Sequence, residues 1–382
     1  MTLLRYEWRK LFRLPALWGF VALSLLFNAF VIGAQWNNRA LFNGISEEAA
    51  CLGQRVDDDF RSGLQARPKT EAQQLLISAA DGVTEVFEIY DARQMTAYYQ
   101  KMLPNLSPWM VERLQWKYEK AQERVEHFAE ADTALDLYAG PVTDGSHEFL
   151  FGTLLLAIQG EAAVAAVLIP LLLTHYEDQQ RTTALVCSSK TGRRLWHTKL
   201  LAALSGSVLL YGLLVLGTLL PYFLLWDYSG IWDASVASQF HHLTEMLLKR
   251  PFMTWADFTV GGYLAAVLCL GCALTLVFCL LGMLCGVLMR RSYLAAMAAG
   301  ILLFAPLALS SVAANCGLWR LFVLLSVSPT RLWVQSSGWF TELGLNALVP
   351  WQETWGTVWN LLALGCLTAL ALVRFARKDV MT

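Results

Sequence analysis

Phe149–Thr174 reads FLFGTLLLAIQGEAAVAAVLIPLLLT, an apolar run with a single charge, Glu161. A helix crossing a bilayer needs about 20 mostly apolar residues, because the hydrocarbon core offers no water to backbone groups. Five further stretches meet that length: Leu14–Ala34, Leu200–Leu225, Phe258–Met289, Tyr293–Ala314 and Trp355–Val373. The pattern predicts an all-α polytopic membrane protein of six transmembrane helices. Phe258–Met289 is longer than a bilayer requires and is expected to tilt or to begin outside it.

Of 382 residues, 56% are hydrophobic and 15% charged, against about 25% charged in soluble globular chains. The charges gather between the apolar runs. Arg5, Arg9, Lys10 and Arg13 precede the first. Arg181, Lys190, Arg193, Arg194 and Lys199 lie between the second and third, Arg290 and Arg291 between the fourth and fifth. Arg374, Arg377 and Lys378 follow the sixth. With six spans all these segments share one side, which the positive-inside rule makes the cytoplasm, termini included. The opposite short loops hold Lys249 and Arg250, then Arg320 and Arg331. Residues 35–148 carry eleven basic residues, but a domain of that length translocates largely regardless of charge. Trp226, Tyr228, Trp232, Trp255, Trp339, Trp351 and Trp355 fall near the outer boundaries, where amphipathic rings prefer to sit. Leu14–Ala34 exceeds the ~7–15 residues of a signal-peptide core and no small-x-small site follows cleanly, so an uncleaved first span is expected.

Three regions result: 1–34, an amphipathic N-terminal helix and first span; 35–148, a helical extracellular domain; and 149–382, five further spans. In the second region, Thr70–Leu103 has helical spacing. Ser107-Pro108 matches an N-cap followed by proline at the first helical position, opening a second helix that runs to about Tyr138. The two suggest an antiparallel hairpin joined by Pro104–Ser107. No strand alternation and no internal repeat is evident. Leu318–Val327 is apolar but too short to span, and a seventh span there would put the basic C-terminal cluster outside. Residues 315–353 are therefore expected to form a re-entrant or interfacial element before span six, its non-helical backbone buried in protein or facing water.

Several residues invite chemistry. Glu161, with Gln159 nearby, lies midway along span two, where an ionisable side chain costs about 2.5–3.5 kcal/mol on insertion scales. Both are candidates for a translocation path. Glu161 would line it or bind a cation; alternatively, protonated, it would hold a neighbouring helix by a hydrogen bond. Asn28 and Asn360 fit helix–helix hydrogen bonding. Gly282-x-x-x-Gly286 would let two helices approach closely, a dimer interface being one reading, although the spacing is common by chance in apolar sequence. Cys269-x-x-Cys272 sits in a span without a second pair and reads as packing. Cys51 and Cys316 fall on the same outer side and could pair. His241, His242 and Glu245 are too few for a confident metal site. No Ser/His/Asp set, no H-E-x-x-H motif and no Gly-rich nucleotide turn is present, so catalysis, metal binding and nucleic-acid binding by this chain are not expected.

Two stretches flank the cytoplasmic side. At the N-terminus, Leu4, Trp8, Leu11 and Phe12 form one helical stripe, and Arg5, Arg9 and Arg13 another. This is an interfacial helix toward membrane lipid, or simply a topology anchor. The loop 175–199 begins with Glu177-Asp178, continues through a short apolar-faced piece, Thr183 to Cys187, and ends in a basic cluster. Charges so placed suit the helix dipoles on both sides.

This loop resembles the coupling-helix region of type-2 ATP-binding-cassette (ABC) exporter permeases, in which an acidic patch ends span two and a short helix precedes a turn with Arg. Glu177, Asp178, Thr183, Leu185, Ser188, Arg193 and Lys199 match. Two positions depart: the family often has Gly before the Thr, where Arg181 and Thr182 stand here, and Pro after the Ser pair, where Lys190 stands. Glu7-Trp8-Arg9-Lys10-Leu11-Phe12-Arg13 resembles the family's opening helix, and Arg374-Phe375-Ala376-Arg377-Lys378-Asp379 its closing sequence. The insertion between spans one and two is similar to that of the subgroup with a large extracellular domain.

The resemblance implies a permease subunit in a bacterial plasma membrane whose coupling region docks on a separate nucleotide-binding ATPase subunit. A second permease copy or paralogue completes the transporter, and ATP and Mg sit on the partner, with no cofactor in this chain. The sequence holds no G-x-x-x-x-G-K-[ST] loop of its own. An ATP-independent sensor or scaffold with an extracellular ligand-binding domain is the rival expectation. A membrane-embedded enzyme is a weaker one, because Glu161 has no evident intramembrane partner in the sequence.

Overall fold

The computed structural model describes residues 2–67, 70–82, 86–136, 143–182, 186, 192, 195–238, 242–245, 248–289 and 291–377. Within apolar runs the backbone is the main polar group, and a helix satisfies it inside the segment. Among the described residues six helices are long and apolar enough to cross a membrane, and the chain is a multi-pass membrane protein.

In chain order, α1 (Thr2–Phe12) leads into α2 (Pro15–Ala34), the first span. Pro15 separates them: its fixed φ opens a helix and its missing N–H costs nothing there. Six helices follow: α3 (Arg39–Leu52), α4 (Asp58–Gln65), α5 (Glu71–Gly82), α6 (Val86–Ile89), α7 (Gln94–Met102) and α8 (Pro108–Glu130). Then α9 (Thr143–His147), a π-helical turn and α10 (Leu155–Gln179) run together into the second span. Span three is α11 (Leu195–Leu225). A hairpin pairs β1 (His242–Glu245) with β2 (Leu248–Pro251), antiparallel. Spans four and five are α12 (Val260–Leu288) and α13 (Ser292–Asn315). Short helices α14 (Trp319–Ser326) and α15 (Pro329–Val334) precede the last span, α16 (Gln352–Arg377).

All six expected spans are found, within a few residues of their predicted bounds except at the ends of spans two and three. There the helices run on to Gln179 and start at Leu195, so the intervening loop is shorter than 175–199. Ser107 caps α8 as its spacing predicts, its hydroxyl accepting from Met110 N at 3.3 Å. Elsewhere the insert departs from the expected hairpin. Two further helices, α3 and α4, precede it. Between α6 and α7 the run Thr70–Leu103 is interrupted where Asp91 caps a turn, accepting from Arg93 N at 3.0 Å. The second helix stops at Glu130, just before Asp132 takes a left-handed conformation (φ 47°). The β-hairpin, held by a ladder of backbone pairs, is the one exception to the all-α reading among the described residues.

Span two is the most buried of the six. Span four packs along it because Gly282 and Gly286 have no side chains: a Cβ on Gly282 would fall 2.6 Å from the carbonyl oxygen of Val167, and one on Gly286 would strike Thr174. The Gly282-x-x-x-Gly286 pair is thus spent inside the chain. Cys51 and Cys316 are both free and exposed.

The insert packs in two parts. Phe42, Ile45, Phe60, Leu64 and Leu76, from α3 to α5, join the main core. Phe87, Tyr118 and Phe128, from α6 and α8, share a second core with Trp319 and Phe322 of α14. A buried ion pair fastens this second part to the segment before span six. Lys117, fully buried, donates to Glu342 Oε2 at 2.6 Å and to the carbonyl of Gly344 at 2.6 Å. Glu342 Oε2 also accepts from the Tyr118 hydroxyl and from Gly344 N, each at 3.0 Å.

These bonds hold backbone that would otherwise resist its shape, since Phe340 (φ 64°) and Leu343 (φ 49°) occupy the left-handed region without being glycine. Residues 315–353 add no seventh span. They form α14, which leaves Leu321 and Leu324 exposed, and then α15 and 3-10 turns that are mostly buried, with Trp333 Nε1 donating to the Leu156 carbonyl of span two at 3.0 Å.

Removing one member of a buried pair strands the other, at a cost of about 3–5 kcal/mol. Lys117→Met should therefore lower the thermal unfolding midpoint of the purified chain clearly. Adding Glu342→Gln to it should recover much of the loss. An unchanged midpoint in the single variant would mean that the pair contributes little to holding the two regions together.

Candidate functional site

Two polar clusters lie along span two. The first is at the basic end of the bundle, where α1, α10 and α11 meet. Leu11 of α1 is fully buried and lies where Gly206 of α11 leaves room; a Cβ on Gly206 would come within 2.7 Å of it. One turn away, Trp8 Nε1 donates to Ser205 Oγ at 2.9 Å. With α1 seated this way, Glu7 and Lys10 turn inward while Arg5, Arg9 and Arg13 stay exposed. The predicted stripes of α1 are present, but the helix leans on two spans as well as offering a basic face.

Charge alternates through the cluster. Lys10 Nζ donates to Glu7 Oε1 at 2.6 Å and to Glu177 Oε1 at 2.8 Å. The other oxygen of Glu177 takes the ammonium of Lys199, which also donates to the Leu173 carbonyl. Two carboxylates and two ammoniums, drawn from three helices, cancel formally, and each partner offsets the cost of burying the next. Burial alone would lower the Lys10 pKa; hydrogen bonds to Glu177 and Glu7 outweigh it and hold the pKa above the ordinary lysine value. Lys10 therefore stays charged well above neutral pH, and its share of the network is lost only as pH rises through that raised value. Next to the cluster, His175 bonds the Met289 carbonyl at 3.2 Å, tying in the end of span four.

Of the residues matched to the coupling region, Glu177 has both oxygens engaged in this internal network, and Asp178 beside it is exposed. The helix ends at Gln179, and Arg181 just beyond it adopts φ 57°, a conformation that glycine takes most easily and that often closes helices. Thr183, Leu185, Ser188 and Arg193 lie outside the described residues.

The second cluster sits near the middle of span two, where three neighbouring residues face three different partners. Glu161 meets α2, and through it α11: Asn28 Nδ2 donates to Glu161 Oε2 and to Thr218 Oγ1, each at 3.0 Å. Gly160 faces the Trp333 ring, which a Cβ there would approach to 2.6 Å. Gln159 faces α12 and Tyr211; it is buried, and neither of its polar side-chain atoms has a hydrogen-bond partner. Asn28 Oδ1 is also buried and unsatisfied. The structure thus supplies Glu161 with a partner that the sequence did not reveal, and it points Gln159 and Glu161 to different sides of the helix. The arrangement has hydrogen-bonding capacity to spare, which water or a polar substrate group would use. Asn360 bonds the carbonyls of Val327 and Gly356, each at 2.7 Å, as a helix-linking residue should.

Three charged residues escaped the sequence reading. Lys117 recurs in step with Met110, Leu114, Ala121 and Val125 on the buried face of α8, a position that could have flagged it. Glu342 and Glu353 carry no such signal; Glu353 is buried in the first turn of α16. No group of three or more His, Cys, Asp or Glu side chains able to hold a metal occurs among the described residues. Comparison of the chain with protein-family models, curated proteins and solved structures finds no match in any of the three.

If the charge network seats α1, Glu177→Gln should loosen it. Trypsin cleavage after Arg13 in membranes opened to the basic side should then run several-fold faster than in the parent chain. An unchanged rate would assign the seating of α1 to Trp8 and Leu11 packing alone.

Proposed function

We propose that the chain is the permease subunit of an ATP-driven ABC exporter, with the end of the bundle carrying α1 in the cytoplasm and the α3–α8 insert outside. The observation that carries this reading is the network Glu7–Lys10–Glu177–Lys199. It joins the opening helix to both helices that frame the loop resembling a coupling region, so a push on that loop would reach α1, span two and span three together. An ATPase subunit docked there would convert its closure into movement of these helices. Asp178, exposed at the helix end, is a contact such a partner would use. A second permease copy or paralogue would complete the pathway, and the Asn28–Glu161–Thr218 cluster with Gln159 is the polar patch closest to a route through the chain.

The sensor or scaffold reading keeps one observation in its favour: the Lys117–Glu342 pair links the insert to the segment that leads into span six, as a ligand-reporting domain would require. The two part on whether an ATPase binds. Gentle detergent extraction of the tagged chain from its native membrane should bring down a phosphate-loop ATPase in stoichiometric amount, and Asp178→Arg should release it or uncouple hydrolysis from transport. A chain that comes down alone in several detergents favours the sensor. Glu161→Gln should reduce transport while expression stays normal; unchanged transport removes Glu161 from the pathway.

A further inference from the structure

A cavity of about 630 Å³ opens between α8, α14 and α16, within the range of ligand-sized pockets. Its walls are apolar: Val323 and Val327 from α14, and Trp355, Val358, Trp359 and Leu362 from α16. Two polar side chains reach it. Gln352 is committed elsewhere, its amide donating to Ser326 Oγ and the Asn346 carbonyl, each at 2.9 Å, and its oxygen accepting from Leu348 N at 2.8 Å. The other is Arg113, exposed on α8, which has no hydrogen bond or ion pair among the described residues.

The axial dimension is informative. The cavity follows α16 from Gln352, its first residue, to Leu362. Ten residues of helix rise about 15 Å, half of the ~30 Å hydrocarbon thickness, which is the depth of one leaflet. Trp109 of α8 and Trp355 stand at the end where α16 begins, as rings at a membrane–water boundary do. Arg113 lies one turn of α8 from Trp109, at that same mouth. A smaller apolar cleft, of about 200 Å³ beside Phe12, Trp18 and Leu213, has no charged lining.

We propose that this groove binds an anionic glycerophospholipid from the leaflet beside the helical insert, with an acyl chain along α16 and the headgroup phosphate on Arg113. A guanidinium pairs with phosphate through two parallel N–H donors, and its uncompensated charge selects a lipid of net negative charge over a zwitterionic one. The proposal rests on the membrane spans and is independent of the exporter reading.

The test uses the full chain in vesicles containing a photoactivatable phosphatidylglycerol or, separately, the matching phosphatidylcholine, with labelled peptides mapped by mass spectrometry. Phosphatidylglycerol should label α14 and α16 peptides in preference to phosphatidylcholine. Arg113→Glu should cut phosphatidylglycerol labelling about fivefold and leave phosphatidylcholine labelling unchanged. Val358→Trp, which fills the groove, should cut both. Equal labelling by the two lipids with no response to Arg113→Glu would overturn the proposal in favour of an unselective lipid-facing surface. Cross-linking of the groove to a second copy of the chain, with lipid excluded, would overturn it in favour of a protein occupant.

Discussion

A polar group facing hydrocarbon has no water to bond, and in this fold that constraint falls chiefly on span two. Along one helix stand Glu161, His175 and Glu177, and the elements around it are placed where they answer these groups. Asn28 brings span one against Glu161; Lys10 and Lys199 bring α1 and span three against Glu177; the Met289 carbonyl brings the end of span four against His175. Where no polar answer is needed, glycine allows contact instead, as Gly282 and Gly286 do for span four and Gly160 does for Trp333. Specific pairing, more than general hydrophobicity, fixes how these helices are arranged, because lipid tails are as apolar as leucine and do not drive helices together.

Much of this architecture was legible in the residues. The six spans followed from length and composition, since a bilayer sets a threshold that few other structures meet. The cap at Ser107-Pro108 was legible because it depends on two adjacent residues. What escaped depends on residues far apart in the chain. Lys117 and Glu342 are separated by 225 positions, and Lys10 and Glu177 by 167. No local pattern announces such partnerships. Glu161 looked solitary for the same reason: Asn28 lies 133 positions away. The interruption of Thr70–Leu103 was missed because an apolar periodicity does not register a side chain that caps a turn within the run.

The candidate site was legible in outline but not in its connections. Glu177 drew notice as part of an acidic pair ending span two, a position that suggested an outward-facing role. Its neighbour Asp178 is exposed, whereas Glu177 turns inward to two lysines, because one helical step of 100° separates a buried face from an exposed one. Gln159 and Glu161 were grouped by proximity in sequence, yet two residues on a helix lie on nearly opposite sides, and the structure gives them different neighbours.

The Lys117–Glu342 pair also bears on how the molecule is made. Lys117 emerges from the ribosome long before Glu342, and the second core of the insert, completed by Trp319 and Phe322, stays open until then. Through most of synthesis α8, packed by α6 and α7, still presents a lysine without its carboxylate and a core edge that Trp319 and Phe322 have yet to cover. The insert therefore reaches its final form only when the last quarter of the chain arrives. A nascent product that stops short of Glu342 would show an unfinished face to the folding factors and proteases that patrol the membrane, giving the cell a built-in means of telling complete copies from incomplete ones.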